Sequence, residues 1–287
     1  MFSTRLYQAY HRHTIFFARR TLSTLPFDLY PALTETRTPS TALFLHGILG
    51  SKRNWRAPAL AFRKMHPQFQ CVTVDLRGHG TSQQQTQTPI NHNTIMQCVD
   101  DISQVINQPK LGIPVVTHTA VPDLLCGHSF GGKVALAYIS KLHEEDEYLP
   151  LNTWILDSLP GTYHRNSFAE TGDFESVFKV FEVLATLPTH FTSREEMVAS
   201  LCTHHGFEKS LALWLATNLT LDVPTQQFIW SFDLMVIKSL FEDFCALDMW
   251  EFLERYDGAG KLHFLRAGRN QAWTPEVCMF VLGLIIA

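Results

Sequence analysis

The chain of 287 residues carries little charge. Charged residues make up 17% of it and hydrophobic residues 46%, whereas an average soluble domain is about 25% charged. This balance excludes an intrinsically disordered chain, which has few apolar residues and a high net charge. Positive charge is not in excess either, because 23 Lys and Arg face 27 Asp and Glu, for a net charge of −4. Without a positive field that could hold phosphate groups, the sequence predicts no nucleic-acid partner.

Cysteine pairs and metal-ligand patterns are absent as well. The six cysteines are scattered, with no CxxC pair and no histidines at zinc-finger spacing. Several lie inside apolar runs, which favours reduced core residues in a reducing compartment. No phosphate-binding loop, dinucleotide fingerprint or ligand cluster follows a predicted strand, so the sequence implies no metal and no organic cofactor.

No apolar run is long enough to cross a membrane. The longest run is Val277–Ala287, and a membrane-spanning helix needs about twenty residues. We therefore expect no integral membrane segment. The run stops without a polar tail, and we interpret it as a non-native ending of the fold, such as a read-through intron or a shortened isoform gives. A buried last helix is the alternative.

Acidic residues are absent from the start of the chain. Asp28 is the first acid, whereas Arg5, Arg12 and Arg19 recur every seven residues and would share one face of a helix. Acid-poor, arginine-bearing amphipathic segments are typical of organelle presequences. We expect residues 1–27 to be a transit segment and the location to be mitochondrial, with a plastid or the cytoplasm as alternatives. The alternative interpretation of the segment is a frayed tail.

Short apolar runs alternate with helix-length segments from Thr41 onwards. This alternation predicts an α/β fold with a mostly parallel central sheet flanked by helices, and strands that are nearly all apolar indicate a sheet buried on both faces. The predicted strands are 41–45, 71–76, 123–127, 154–157 and 261–267. The predicted helices between them are 58–65, 94–106 and 131–142.

The alternation of predicted strands and helices ends after Pro160. For about a hundred residues helical patterns follow one another, which indicates an inserted helical cap. We therefore expect a core formed by residues 40–160 and 258–287, and a cap formed by residues 161–257. The candidate cap helices are 176–186, 193–202, 207–218 and 234–245.

One motif predicts a nucleophile. The sequence Gly127-His128-Ser129-Phe130-Gly131 lies where an apolar strand ends and a helix begins. In that context G-x-S-x-G forms a sharp turn that exposes a serine hydroxyl at the top of the sheet. Ser129 is the candidate nucleophile, and an ordinary strand-to-helix turn is the alternative.

Two further turns supply candidate partners for Ser129. The turn His46–Gly50 follows the first strand of this alternation, so Ile48 is the predicted first donor of an oxyanion hole, and the amide of Phe130 is the second. Asp157 ends a later strand, where catalytic groups of open α/β sheets collect. We predict that Asp157 is the triad acid, with a loop-capping aspartate as the alternative.

Together these motifs resemble the α/β-hydrolase superfamily. The resemblance is to the organellar branch related to alpha/beta-hydrolase domain-containing protein eleven, and it continues into the cap through segments such as Thr217-Asn218-Leu219 and Phe228-Ile229-Trp230. It implies that the acid follows the sixth strand of the fold, which supports Asp157. It also implies cleavage of carboxylic ester or thioester bonds through an acyl-enzyme, or acyl transfer to an alcohol. The implied partner is a small acyl ester or thioester.

The resemblance also implies a histidine near the end of the chain, and none is found there. The last one, His263, lies inside a predicted strand and should pack in the sheet layer. The last strand and helix of the fold are accordingly expected to be missing. Five other histidines are weaker candidates for the base, because none of them matches the family's base in position. They are His46, His79, His128, His204 and His205.

Two functions follow from these observations. The first is a serine hydrolase that uses Ser129, Asp157, Ile48 and Phe130. The second is a non-catalytic binding protein with the same fold. The sequence feature that favours it is the absence of the catalytic histidine. No oligomeric state is indicated by the sequence.

Overall fold

The computed structural model describes residues 24–84, 93–163 and 173–281, the last range with gaps at 269, 271, 276 and 280. Residues 1–23 with their arginine pattern, and 282–287 of the final apolar run, lie outside the described residues. In the part of the chain that is described, no helix is both long and apolar enough to cross a membrane.

A six-stranded sheet forms the centre of the fold. Its strands, in chain order, are β1 (Phe27–Tyr30), β2 (Ser40–Leu45), β3 (Phe69–Val74), β4 (Leu124–His128), β5 (Asn152–Leu156) and the late strand β9 (Lys261–Leu265). In space the order is β1-β3-β2-β4-β5-β9. Only β1 is antiparallel to its neighbour, so the predicted mostly parallel sheet is confirmed.

Three helices flank the sheet: α1 (Arg56–Met65), α2 (Ile95–Ile106) and α3 (Phe130–Glu144). Helix α2 begins where the side chain of Thr94 accepts a hydrogen bond from the amide of Gln97, which satisfies one free N–H of the first turn. Helix α3 is almost entirely buried over its first ten residues, because it packs between the sheet and α2. The nucleophile candidate therefore precedes the most buried helix of the core.

The segment between β5 and β9 holds most of the remaining elements, and we call its residues 161–257 the cap. Its helices are α4 (Asp173–Leu184), α5 (Arg194–His205), α6 (Lys209–Ala216), α7 (Leu234–Ala246) and α8 (Trp250–Arg255). Its strands β6 (His190–Phe191), β7 (Leu219–Asp222) and β8 (Gln227–Trp230) form a small antiparallel sheet in the order β6-β8-β7.

The cap sheet corrects the prediction of purely helical structure in this segment. Two of its strands have four residues and the third has two, which is too short for a period of two to stand out in the sequence. Strand β1 is also not predicted, for the same reason. The five predicted core strands and the four predicted cap helices are confirmed in their order, with ends that shift by up to three residues, whereas helix α8 of the cap is not predicted.

Candidate active site

Ser129 lies in a strained turn between β4 and α3. Its φ of 51° and ψ of −116° fall in a region that residues with a side chain rarely adopt. A Cβ on Gly127 would lie 2.1 Å from the carbonyl oxygen of Gly131, and a Cβ on Gly131 would lie 2.6 Å from that of Leu45. Both positions must therefore be glycine. The amide of Ser129 donates to the carbonyl of Leu156 (2.8 Å), which fixes the turn against β5.

The turn after β2 lies directly against this serine. A Cβ on Gly47 would be 3.4 Å from the Cβ of Ser129, and Ile48 lines the same cavity as Ser129. Phe130 is the first residue of α3, so its amide is one of the first N–H groups of the helix, which have no partner inside the helix. The structure thus places Ile48 in the wall of the Ser129 cavity and Phe130 next to Ser129 at the start of α3.

Two buried histidines hold the turn at residues 46–50 in place. Nε2 of His79 accepts the amide of Leu49 (3.1 Å), and Nε2 of His46 accepts the amide of Leu76 (3.0 Å). Each ring therefore carries its proton on Nδ1; that of His46 donates to the carbonyl of Gly47. Burial lowers the pKa of both rings, that of His79 well below its usual value. Both histidines are neutral acceptors within the fold, which leaves neither free to take a proton from Ser129.

A cap residue holds the same turn from the other side. Leu49 has a φ of 56°, and its carbonyl accepts a hydrogen bond from Nδ2 of Asn218 (2.8 Å). Asn218 lies between α6 and β7 and is buried. Asn218 belongs to the cap segment Thr217-Asn218-Leu219, in which the sequence predicts no functional residue. An asparagine at the end of an apolar helix is the only local signal.

Asp157 follows β5, as the prediction requires. Its Oδ1 accepts three hydrogen bonds, from the amide of Ala267 (3.0 Å), Nδ2 of Asn270 (2.9 Å) and Nε1 of Trp273 (3.2 Å). Its own amide donates to the carbonyl of Leu265 (2.7 Å). The loop after β9 therefore fixes the carboxylate. These donors are neutral, and no local pattern in the sequence identifies them as partners of Asp157.

Two candidate bases, His46 and His128, line the cavity with Ser129, and His46 is already held as an acceptor within the fold. Although His128 reaches solvent, partial loss of hydration lowers its pKa, while the charge of Asp157 acts to raise it. Among the described residues, no histidine is hydrogen-bonded to Ser129 or to Asp157.

The other candidate histidines lie elsewhere. His263 packs in the sheet layer, as the sequence predicts: its ring stacks on Trp154 with centroids 4.3 Å apart, and Nε2 lies 3.2 Å from Oδ1 of Asn152. His204 and His205 end helix α5 and do not line the Ser129 cavity.

The cavity above Ser129 has a volume of about 450 Å³ and lies where core and cap meet. The core contributes Trp55 and Pro58 to its wall, and the cap contributes Val177 and Trp214. Such an apolar enclosure beside a serine suits a small hydrophobic group. Within the ranges that the structure describes, no three His, Cys, Asp or Glu side chains cluster so that they could hold a metal ion.

Sequence comparisons agree with this geometry. The sequence model of the Alpha/beta hydrolase family matches residues 42–274. The chain is 33% identical over 202 residues to sn-1-specific diacylglycerol lipase ABHD11 of Mus musculus, a match that covers 69% of this chain and 57% of the lipase. It is 35% identical over 101 residues to Ethanol acetyltransferase 1 of Kluyveromyces lactis, which covers 34% of this chain and 23% of the transferase. The chain therefore covers only part of the length of these curated relatives, about a quarter of the transferase and a little over half of the lipase.

Solved structures show the same fold. A marine microorganism esterase superposes with a TM-score of 0.64 at 17% identity and covers 92% of this chain and 99% of its own. The peroxisomal alpha-beta-hydrolase Lpx1 from Saccharomyces cerevisiae superposes with a TM-score of 0.59 at 16% identity, over 91% of this chain and 72% of its own. At this identity the likeness establishes the arrangement of strands and helices.

Proposed function

Since the chain belongs to the alpha/beta hydrolase family, we propose that it is a serine hydrolase that cleaves carboxylic ester or thioester bonds through an acyl-enzyme intermediate. The observation that carries this proposal is the position of Ser129. The residue lies in a strained elbow, against the Gly47 turn and at the base of an apolar cavity. Strain of this kind concentrates at functional sites.

The roles of the four predicted residues follow from acyl-transfer chemistry. Oγ of Ser129 attacks the carbonyl carbon, and its proton passes to a base and then to the leaving alcohol or thiol. The amides of Ile48 and Phe130 stabilise the negative oxygen of the tetrahedral intermediate. The carboxylate of Asp157 stabilises the charge that the base acquires. Water then attacks the acyl-enzyme and releases the acid. An alcohol in place of water would give a new ester instead.

The proposed substrate is an ester or thioester of an acyl group of modest size. Its support is the apolar cavity of about 450 Å³, together with the names of the relatives, one a diacylglycerol lipase and one an ethanol acetyltransferase. Acyl transfer to an alcohol is a subclass of the same chemistry and is detected as ester synthesis when ethanol is added.

A fluorophosphonate probe tests the nucleophile. We expect the wild-type chain and the control Ser103→Ala, which changes a serine of α2, to be labelled, and Ser129→Ala to remain unlabelled. Turnover of p-nitrophenyl butyrate should be lost with the same substitution. Labelling that persists in Ser129→Ala would contradict the proposal.

The second candidate function is a binding protein with this fold. It is favoured by the hydrogen bonds at Asp157, because Oδ1 already accepts three neutral donors and no described histidine contacts the carboxylate. Loss of one triad member lowers turnover by about 10⁴ to 10⁶, while the oxyanion and binding contributions remain. A folded chain that stays unlabelled by the probe but binds a non-hydrolysable acyl ketone in calorimetry would favour this function.

We also propose a mitochondrial location, on the basis of the arginines in residues 1–27. A fluorescent protein fused behind residues 1–27 should be imported into mitochondria. Replacing Arg5, Arg12 and Arg19 by Gln should leave the fusion in the cytosol. Import into plastids, or a cytosolic signal from the unmodified fusion, would assign one of the alternative locations.

A further inference from the structure

Helix α3 carries a fully buried lysine close to Ser129. Lys133 lies four residues after the serine, and none of its surface is exposed. Its Nζ lies 2.6 Å from the carbonyl oxygen of Gly161, 2.9 Å from that of Phe244 and 2.9 Å from that of Leu247. An ammonium group has three N–H donors, and these three acceptors match them in number.

The three carbonyls belong to two connecting segments of the chain. Gly161 lies in the connection from β5 into the cap, residues 157–163, and the other two acceptors lie around the connection between α7 and α8, residues 245–250. The two connections are also bonded to each other, because the amide of Tyr163 donates to the carbonyl of Cys245 (2.8 Å) and that of Met249 donates to Pro160 (3.0 Å). One side chain of α3 therefore joins both connections of the cap to the core.

The last turn of α7 favours a cation at this point. The carbonyls of Phe244 and Leu247 lie at the C-terminal end of this helix, where carbonyl groups lack partners inside the helix and the helix dipole is negative. The rings of Tyr163 and Phe244 add cation–π contacts, with centroids 4.8 and 4.7 Å from Nζ. Without such acceptors a buried amine would be strongly destabilising.

The surroundings of Lys133 also include titratable groups. Burial lowers the pKa of Lys133 to about 7, and Cys245, Asp248 and Asp243 act in the opposite direction. Burial raises the pKa of the Cys245 thiol to about 11, so this thiol is neutral at physiological pH. The carbonyl oxygens, which do not titrate, are therefore the acceptors that hold the amine in place.

We propose that Lys133 is a positioning residue that fixes the cap to the helix behind Ser129 and thereby sets the shape of the acyl cavity. The cap supplies Val177 and Trp214 to the wall of that cavity, whereas Ser129 belongs to the core. The distance between these walls depends on how the cap is attached. The effect on substrate rests on the proposed hydrolase function, but the attachment of the cap does not.

The attachment is tested by hydrogen–deuterium exchange in Lys133→Met, which keeps the length of the side chain and removes its donors. We expect the amides of Tyr163 and Met249 to exchange about ten- to a hundredfold faster than in the wild type, as the loss of hydrogen bonds to a charged group predicts. The amides of β4 should change by less than about threefold. Unchanged protection of Tyr163 and Met249 in the folded variant would overturn the proposal.

Lys141→Met is the matched control for charge on the same helix. Lys141 lies on the outer part of α3, and its ion pair with Asp100 (2.8 Å) is exposed. This variant should exchange like the wild type, and equal acceleration in both variants would contradict a specific role for Lys133. If Lys133→Met does not fold, Lys133→Gln is used instead. Its side chain is polar, but it is shorter and has two N–H donors, too few for the three carbonyls. A folded Lys133→Gln with wild-type protection at the two connections would also overturn the proposal.

Kinetics separate a positioning role from a merely structural one. For an octanoate ester we expect Lys133→Met to raise KM about tenfold with kcat changed less than about threefold, and for an acetate ester neither value should change much, because acetate makes little use of the cap wall. A general loss of folded protein would lower kcat for both esters and leave KM unchanged, which would contradict the proposal. If the wild type hydrolyses no ester, the proposed function fails, and the exchange experiment alone decides the role of Lys133.

Discussion

Close packing of backbone against backbone explains the residues around the serine. Position 127 faces the start of α3 so closely that a methyl group would overlap the carbonyl of Gly131, with the carbon 2.1 Å from the oxygen. Such contacts are below any van der Waals distance, and neither group can rotate away because both belong to the main chain. The glycines of the motif therefore serve packing, while Ser129 itself accepts an unfavourable φ of 51°.

Gly127→Ala should destabilise the fold by more than about 2 kcal/mol, because the strand or the helix must move to admit the methyl group. The free energy of unfolding in urea measures this effect. Gly268→Ala is the control, since a Cβ there meets no atom within 4 Å, and it should change stability by less than about 0.5 kcal/mol. Equal stability of the two variants would contradict the packing argument.

At the scale of elements, the turn at residues 46–50 is held by two other parts of the chain. His79 bonds it to the loop after β3, and Asn218 bonds it to the cap. In the same loop, Asp75 accepts the amides of Lys52 (2.8 Å) and Thr81 (3.0 Å) and so connects the residues before α1 to the loop. The positive φ of Leu49 persists because these contacts determine it from both sides.

Asn218→Ala should lower kcat about tenfold and change KM less than about twofold. Without its partner in the cap, the carbonyl of Leu49 can rotate, and the amide of Ile48 then points less accurately at the oxyanion, which forms only in the transition state. Steady-state kinetics on a butyrate ester measure both constants. Asn107→Ala, which removes an exposed amide bonded within α2, should behave like the wild type. A change confined to KM would show that Asn218 acts on substrate binding instead.

Acid should destabilise this part of the fold through His46 and His79. Their pKa is lowered by burial in the native state, while in the unfolded chain it lies at about 6.5. As the pH falls below about 6.5 the unfolded state binds protons and the native state does not. The free energy of unfolding then decreases, by at most about 1.4 kcal/mol per pH unit for each ring. Above that pH both states are neutral, and these rings cause no further change.

Urea titrations between pH 5 and pH 8 measure this dependence. His79→Gln removes one of the two rings and should make the decrease below pH 6.5 less steep. His204→Gln, a change at the exposed end of α5, should leave the slope as it is in the wild type. A slope that is the same in all three proteins would show that other groups control the acid sensitivity.

At the scale of the whole molecule, the cavity exists only because two units meet. Trp55 and Pro58 come from the core, and Val177 and Trp214 come from helices of the cap. None of these residues is close to Ser129 in the sequence. The size of the acyl group that fits is therefore a property of the interface between core and cap.

If the proposed function holds, Trp214→Ala should shift the substrate preference towards longer acyl groups. Removal of the indole enlarges the cavity, so the ratio of kcat/KM for octanoate over acetate esters should rise about tenfold or more. Leu213→Ala is the matched control, because this neighbouring side chain is 51% exposed and does not line the cavity. An unchanged ratio in Trp214→Ala would show that the indole does not limit the acyl group.

The sequence by itself determined five of the six strands of the central sheet, most of the helices and the elbow. Strands that are buried on both faces must be apolar over their whole length, and an amphipathic helix repeats with its own period, so both patterns are visible locally. The spacing of Gly127, Ser129 and Gly131 carries the same kind of local information, because each glycine is required by a contact within or beside the turn. The position of Asp157 after β5 was predictable because the ends of parallel strands meet at one edge of the sheet.

Only the tertiary structure decided what holds these residues in place. Asn218 lies 169 positions from the carbonyl that it bonds, and Lys133 lies 111 and 114 positions from two of its acceptors. Nothing in a local pattern specifies such a partner, since a hydrogen bond depends on where the folded chain returns. Lys133 does leave one trace, a charged residue within an otherwise apolar stretch of α3. That trace shows that a partner must exist, because a buried amine needs acceptors, but only the fold identifies which carbonyls they are.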